Sequence, residues 1–295
     1  MRKLFYIILF SFVLAGATTF AQQRQGYVKP EIRDAVTINY KMLAPTYLTP
    51  MEEYYGAYVD DPRTGRFKIG YQYLEFKNDE NGNQVIISKG NFETLVYGVS
   101  FEKSEWTIKE TIQPQTGRIL ESQAEGNLSG ITIWFFGVYS PLRSKASYKK
   151  TATYDWKNMK IYVHFDDPKA PVRTYDLDPM KTLPIFSHYI FTLKSKWTDT
   201  SKVYHLPYFD VDKERYEDFY IKFSGEQDKG QIKFESVFHG FGEGGQIMYW
   251  VTPPSANAYN GHFRKIISDP KVARYTTFLP VSEEEAKKPV RAWLE

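Results

Sequence analysis

Five histidines are the side chains of this sequence best suited to acid–base or metal chemistry: His164, His188, His205, His239 and His262. No two of them are four residues apart, the helical spacing of many zinc sites, and the chain has no cysteine. A metal site would therefore need the fold to bring three distant histidines together. The sequence predicts no metal ligands, no cofactor and no assigned catalytic residue.

The most suggestive local cluster is the glycine-rich stretch His239–Gly245, which carries an imidazole and the carboxylate of Glu243 in one flexible segment. Loops often carry acid–base residues, so a secreted hydrolase or carbohydrate-active protein using His239 and Glu243 is one interpretation. The other is a wide hairpin turn between Phe238 and Ile247, whose glycines supply positive φ angles. The sequence favours the turn, and both interpretations stay open.

The segment 178–196 is the one long apolar run after the N-terminus without strand-like alternation. Its apolar side chains recur at steps of three and four, at Leu183, Phe186, Ile190 and Leu193. This spacing places them on one helical face, and Asp178 before Pro179 offers an N-cap followed by a first-turn proline. We expect a helix of about four turns, long enough to cross one face of a sheet.

Most of the remaining sequence alternates between apolar and polar residues, the pattern of half-buried strands. Phe67, Ile69, Tyr71 and Tyr73 show it first, and Asn81-Gly82 then marks a hairpin turn. About a dozen such strands follow at hairpin-like spacing. The predicted fold class is mainly β: a strongly curved antiparallel sheet, a half-barrel or open barrel, with the long apolar helix in its concave face and short peripheral helices.

Four segments make up the predicted organisation of the chain. A basic head, an apolar run and small residues make 1–21 a secretory signal peptide, with cleavage expected after Ala21. Residues 22–66 form an N-terminal arm, in which Thr49-Pro50-Met51-Glu52 predicts a short helix through about Tyr58. The β half-barrel spans 67–281. A C-terminal tail, 282–295, begins with a second capping box.

The charge and composition of the chain limit the classes of partner that we expect it to bind. Of the 38 basic residues, Arg2 and Lys3 fall in the signal peptide, which leaves 36 against 35 acidic residues. This near-neutral balance gives no electrostatic reason to expect binding to nucleic acid. The apolar run at the N-terminus is shorter than a spanning helix needs, and no later stretch is long enough, so we expect no transmembrane segment in the mature chain. The expected location is the periplasm or the extracellular space.

A cavity between the predicted helix and the sheet is the expected binding site. The candidate lining residues are apolar or aromatic: Leu183, Phe186, Tyr189, Ile190, Trp134 and Trp250. Trp134 belongs to Ile131–Val138, a predicted strand that is apolar on both faces and therefore needs cover on each. If the helix leaves space above the sheet, an apolar ligand could enter it; if it packs tightly, the protein is structural.

From Phe67 to Val251, the order of these elements and their apolar–polar patterns resemble those of a known superfamily. The residues that carry the resemblance are TATYDWKNMKIYVHF, the helical segment TLPIFSHYIFTL, and the strands VYHLPYF and EDFYIKFSGEQ. They resemble the periplasmic lipoprotein-carrier (LolA/LolB-like) half-barrels, and a related exported family of unknown function more closely. The resemblance implies a curved open sheet with helices over a hydrophobic concavity, and the binding of acyl chains or similar amphiphiles.

Three functions remain open at this point. The first is a non-enzymatic envelope protein that binds a hydrophobic or amphiphilic, lipid-like ligand in the helix-covered half-barrel. The second is the hydrolase or carbohydrate-active protein described above. The third is a structural or partner-binding component of the envelope, with the arm at 22–66 as a docking segment.

Overall fold

The structure, a computed structural model, describes residues 30–61, 65–96, 99–130, 134–135, 138–139, 145–227, 230–239, 247–255, 260–268 and 275–290. The chain divides into two units, residues 1–35 and residues 36–295. The described part of the first contains the one-turn helix α1 (Pro30–Arg33). The predicted signal peptide, 1–21, lies outside the described residues, so its prediction stands untested.

The described part of the second unit holds nineteen strands and three short helices. The strands are β1 (Val36–Thr37), β2 (Met51–Asp61), β3 (Gly65–Asn78), β4 (Gln84–Val96), β5 (Val99–Gln113), β6 (Arg118–Gly130), β7 (Trp134–Phe135), β8 (Val138–Tyr139), β9 (Lys145–Asp155), β10 (Lys160–Phe165), β11 (Arg173–Asp176), β12 (Val203–His205), β13 (Tyr208–Asp210), β14 (Arg215–Glu217), β15 (Phe219–Gln227), β16 (Gln231–His239), β17 (Ile247–Thr252), β18 (His262–Ser268) and β19 (Tyr275–Val281). The helices are α2 (Tyr40–Leu43), α3 (Ser187–Lys194) and α4 (Glu283–Lys287).

Fifteen of these strands form one sheet in the order β1-β12-β15-β16-β17-β18-β19-β2-β3-β4-β5-β6-β9-β10-β11. Of its pairs, only β1 with β12 is parallel. The order has two ends, so the described sheet is open rather than a closed barrel. The prediction of a mainly β protein with one large antiparallel sheet is confirmed at this level.

The sheet curves around α3. Tyr189 contacts Phe263 on β18, and Phe191 contacts Tyr204 on β12. On the other side, Glu110 of β5 accepts hydrogen bonds from the backbone just before the helix. β12 and β5 are nine positions apart in the strand order, about 40 Å in a flat sheet. A helix about 10 Å wide reaches both only if the sheet bends around it.

The predicted helix over 178–196 is wrong in its length. The helix α3 begins at Ser187 and ends at Lys194, two turns rather than four. The reason is Pro184: the residue before a proline is disfavoured in helical geometry, and Leu183 is extended, forming an isolated bridge with Tyr208. Asp178 closes a separate turn, in which its carboxylate accepts from the backbone N–H of Met180 at 2.9 Å.

The short helix predicted from Thr49 to about Tyr58 is also wrong, because Met51–Asp61 is strand β2. It pairs with β19 on one side and with β3 on the other. The capping-box pattern is a local signal worth about 1 kcal/mol, whereas two full ladders satisfy the backbone groups of the whole segment. The second capping box is confirmed, since Ser282 caps α4 and accepts from the backbone N–H of Glu285.

A bulge in β3 changes which residues face the interior. Ala57 pairs with Gly70 and Tyr58 with Lys68, so Ile69 has no partner on β2. Gly70 adopts a φ of 151°, and a Cβ there would lie 2.0 Å from the carbonyl oxygen of Asn91. Beyond the bulge, the side chains of Gln72, Leu74 and Phe76 face α3, while those of Tyr71 and Tyr73 contact Tyr54 on the opposite face.

The predicted strand Ile131–Val138 lies only partly within the described residues. Trp134–Phe135 pairs with Val138–Tyr139 as a separate two-stranded unit outside the large sheet. This arrangement differs from the expected strand of the main sheet. Its side chains lie outside the described part of the structure.

Burial changes along the inner face of the sheet. We call the end that carries the turns 79–83, 114–117 and 156–159 the turn end, and the opposite end the distal end. Near the turn end, Ile86 and Ile112 are fully buried in a core with α3. Toward the distal end, the inward-facing Phe92, Trp106 and Ile108 are only half-buried. The helix therefore fills one half of the concave face and leaves the other half less covered.

Candidate functional site: two cavities on the concave face

Two neighbouring cavities lie between the concave face of the sheet and the segment that includes α3. Cavity A, of about 430 Å³, lies over β5 and β6 and extends to Phe209 and Val211 beside the β13–β14 hairpin. Cavity B, of about 330 Å³, lies over β3, β4 and β5 and is bounded on the other side by β17, β18 and β19. Trp106, Ile108 and Ile185 line both cavities and form the wall between them.

Carbon atoms dominate the wall of cavity B. Six of its lining side chains are large, apolar and half-buried: Ile69, Phe92, Trp106, Ile108, Ile247 and Phe278. Gln72 also lines this cavity, but its side-chain amide already has partners: Nε2 donates to Oγ of Ser88 at 3.0 Å and to the hydroxyl of Tyr189 at 2.9 Å. Cavity B therefore offers an apolar surface with few free polar contacts.

Glu110 fixes the helical side of the wall. Its carboxylate accepts hydrogen bonds from the backbone N–H of Ile185 at 3.0 Å, from that of Phe186 at 3.1 Å, and from the hydroxyl of Ser122 at 2.8 Å. Burial raises the pKa of Glu110 to about 7, although these three donors act in the opposite direction. One buried carboxyl on β5 thus holds in place the backbone of Ile185, which lines both cavities.

Cavity A has a more polar rim than cavity B. Asp210 is buried at this rim, and burial raises its pKa. Its carboxylate accepts from the backbone N–H groups of Asp212 and Lys213 at 3.0 and 3.1 Å. These contacts close the turn between β13 and β14, so the carboxylate serves the local backbone rather than standing free.

Two glycines make room for the aromatic rings of the cavity walls. A Cβ on Gly90 would lie 2.4 Å from the indole of Trp106, and a Cβ on Gly126 would lie 2.6 Å from the ring of Tyr148. Gly90, Trp106 and Gly126 occupy one register line across β4, β5 and β6. The absence of a side chain at position 90 therefore allows the indole to lie over the neighbouring strand.

The six residues predicted to line a cavity have different positions in the structure. Phe186 and Tyr189 line cavity B, whereas Leu183 and Ile190 are fully buried in the core beneath it. Trp250 is on the wrong face: its ring lies between the ammonium groups of Lys233 and Lys265, at 5.5 and 5.0 Å.

The error at Trp250 follows from strand alternation. Tyr249, its neighbour on β17, lines cavity B, and adjacent strand residues point to opposite faces. The side chain of Trp134 lies outside the described residues, so its prediction is not tested. A tryptophan on a strand can line a cavity here only where its position faces α3, and the sequence does not decide this for Trp250.

The residues that the sequence prediction missed are the shared wall itself, above all Trp106 and Ile185. Trp106 and Ile108 alternate with polar residues on β5, so the sequence does indicate that they share a face. Nothing in the sequence indicates that this face is partly uncovered, because that depends on α3 being short. The pairing of Gly90 with Trp106 depends on a register that only the fold supplies.

One pair of titratable groups, His205 and Asp218, lies away from the cavities. His205 contacts Asp218 through Nε2 at 2.7 Å and the hydroxyl of Thr37 through Nδ1 at 3.2 Å. None of these three residues lines cavity A or cavity B, and together they connect β1 and β12 with the residue just before β15. His239 is the last residue of β16, but its side chain and residues 240–246, which include Glu243, lie outside the part of the chain that the structure describes, so the interpretation as a hydrolase is not tested.

Two further findings concern the described residues as a whole. No group of three or more His, Asp or Glu side chains among them is arranged to hold a metal ion. Within the same residues, no helix is long and apolar enough to cross a membrane.

Comparison with known proteins supports the fold and no more. No protein-family model matches the chain, and no curated protein matches it. Among solved structures it is similar to a β-barrel-like protein of a domain of unknown function, DUF1849, from Brucella abortus. The two have 12% sequence identity and a TM-score of 0.53, and the match covers 80% of this chain and 97% of the other. At this identity the similarity shows a barrel-like β fold.

Proposed function

We propose that this protein is an exported, non-enzymatic envelope protein that binds a hydrophobic or amphiphilic, lipid-like ligand in cavities A and B. The observation that carries the proposal is the pair of cavities between α3 and the sheet, whose lining surface is mainly apolar. Each has a volume in the range of small-molecule sites, which begins at about 300 Å³. The proposal places the hydrocarbon part of the ligand against the shared wall of Trp106, Ile108 and Ile185.

Partial exposure of the walls supports the proposal. Large apolar side chains grouped together at a surface are uncommon in soluble proteins unless they bind something. Here Ile69, Phe92, Ile247 and Phe278 surround one space and stay half-buried. A hydrocarbon chain in that space would remove their surface from water, at about 25 cal/mol for each Å² covered.

The sequence supports the cellular part of the proposal. The basic head and apolar run at 1–21 predict export, and the near-neutral charge favours an apolar ligand over a nucleic acid. The resemblance to lipoprotein-carrier half-barrels agrees with a ligand that has acyl chains. The fold shared with the Brucella abortus protein is consistent with this resemblance and adds no function to it.

The first experiment is native mass spectrometry of the protein purified from its own host without detergent, followed by titration with a fluorescent fatty acid. We expect a co-purified lipid, or saturable uptake of the fatty acid. A matched pair of variants locates the site: Ile108→Glu places a charge in the shared wall, and Thr107→Glu places one on the opposite face of the same strand. Ile108→Glu should weaken binding at least about tenfold, and Thr107→Glu should leave it unchanged.

Absence of both co-purified lipid and fatty acid uptake in the folded wild-type protein would contradict the proposal. Equal effects of the two variants would show that binding, where present, is not in these cavities. Circular dichroism of each variant establishes that the comparison is between folded proteins.

A further inference from the structure

Cavities A and B have similar volumes and a common wall, and the construction of this wall suggests how a ligand is divided between them. On the sheet side it consists of Trp106 and Ile108, consecutive inward-facing residues of β5. On the helical side it is Ile185, which precedes α3. No other residue lines both cavities among those that the structure describes. The partition is therefore narrow, and it is built from three apolar side chains.

Both sides of the partition are held in place. The indole of Trp106 lies over Gly90 on β4, in space that any other residue at position 90 would occupy. Ile185 is fixed through its backbone N–H, which donates to the buried carboxyl of Glu110 two residues from Ile108 on the same strand. A side chain and a backbone segment fixed in this way separate two compartments, rather than leaving one continuous space that a single chain could follow.

We infer that cavities A and B are the two compartments of one site for a two-chain amphiphile, such as a diacyl lipid, with one chain on each side of Trp106. The inference rests on the proposed function. It adds the class of ligand and names Trp106 as the residue that separates the two hydrocarbon chains. The polar rim of cavity A, with Asp210 and Lys213, lies at one compartment only. The two chains therefore meet different surroundings.

The test compares a one-chain probe, palmitic acid, with a two-chain probe, dipalmitoylphosphatidylglycerol, by native mass spectrometry and competition. Two matched variants each fill one compartment by changing a small half-buried strand residue to phenylalanine. Ser104→Phe acts on cavity A and Thr276→Phe on cavity B. Thr107→Phe is the control, because its side chain lies on the opposite face of β5. Ser104→Leu and Thr276→Leu serve as smaller replacements if either phenylalanine variant fails to fold.

We expect the wild-type protein to bind two palmitic acid molecules or one diacyl molecule, each displacing the other. Each filling variant should bind one palmitic acid and lose at least about tenfold in affinity for the diacyl probe, and Thr107→Phe should match the wild type. A single palmitic acid in the wild type, removed equally by both filling variants, would overturn the two-compartment inference and leave the proposed function standing. Binding of neither probe by the folded wild type would overturn both.

Discussion

The two ends of the concave face use the same strands in different ways. At the turn end, the side chains of β3, β4 and β5 pack against α3 and are fully buried. At the distal end, side chains from the same strands are half-buried around cavities A and B. Residue size does not explain the difference, since phenylalanine and isoleucine occur at both ends.

The two ends differ in how much of the sheet face is covered by the segment that includes α3. The helix α3 begins at Ser187, so two turns of helix lie on a sheet face that four turns would have crossed. The chain before it, from Leu183 to Phe186, is held to the sheet by Glu110 of β5, and Leu183 also bridges to Tyr208 of the β13–β14 hairpin. The stability of the fold should therefore reside at the turn end and ligand binding at the distal end.

The largest expected effect comes from truncating one phenylalanine in the core around α3 and one in the wall of cavity B. Phe191 is fully buried against Trp197, Tyr204 and Phe234, so Phe191→Ala should lower the free energy of unfolding by about 3–5 kcal/mol. Phe278 is half-buried in the wall of cavity B, so Phe278→Ala should cost only about 1 kcal/mol. Urea denaturation measures both. Equal losses would show that the core around α3 and the wall of cavity B do not differ in packing.

The second effect is a dependence of stability on pH that originates at Glu110. Its pKa is about 7 in the folded protein and about 4.5 in the unfolded chain, so the folded protein keeps a proton that the unfolded chain releases. The contribution of this proton to the free energy of unfolding is fully present below about pH 4.5 and is lost as the pH rises to about 7. Its size is about 3 kcal/mol.

The measurement is urea denaturation at pH 5 and pH 8 for the wild type and for Glu110→Gln, which does not titrate. We expect the wild type to lose more stability than Glu110→Gln between the two pH values. An identical change in both proteins would show that Glu110 does not carry the effect.

A side chain at position 90 should disturb the partition rather than the core. The Cβ of Gly90→Val would collide with the indole of Trp106, and overpacking of this kind costs about 1–3 kcal/mol. It should also shift the indole and change fatty acid binding. Glu93→Val, on the other face of β4, should stay within about 0.5 kcal/mol of the wild type and leave binding unchanged. Unaltered fatty acid binding in Gly90→Val would remove Trp106 from the site.

The smallest effect is expected at Trp250. Its ring lies between Lys233 and Lys265 on the convex face, and such cation–π contacts at exposed sites contribute about 0.5–1 kcal/mol. Trp250→Ala should therefore reduce stability slightly and leave fatty acid affinity as it is. Reduced affinity, measured by titration with the fluorescent fatty acid, would place a binding surface on the convex face as well.

The sequence predicts the sheet better than the site. Alternation of apolar and polar residues is repeated in strand after strand, and turns such as Asn81-Gly82 fall where the structure has them, with Gly82 at a φ of 75°. The predictions fail where pairing or a single proline overrides a local pattern. Met51–Asp61 carries a capping box yet forms a central strand, and Pro184 shortens a helix whose spacing continues through it.

Which residues line the site depends on the register between strands, and local sequence patterns do not determine this register. A bulge at Ile69 reverses the faces of β3, so the alternation predicted from Phe67 to Tyr73 does not place these residues on one side. Trp250 and Tyr249 are both large and aromatic, and only the pairing of β17 decides which one faces α3. Phe186 and Tyr189, which the helical spacing placed against the sheet, do line cavity B, although only Tyr189 lies within α3 and Phe186 directly precedes it.

Quenching of Trp106 fluorescence by a fatty acid brominated in mid-chain tests the central claim most directly, because bromine quenches indole only at close range. The chain has six tryptophans, so the measurement compares the wild type with Trp106→Phe. The account predicts saturable quenching in the wild type that is largely lost in Trp106→Phe, although the variant still binds the fatty acid. Equal quenching in both proteins, or none in either, would contradict a hydrocarbon chain bound beside Trp106.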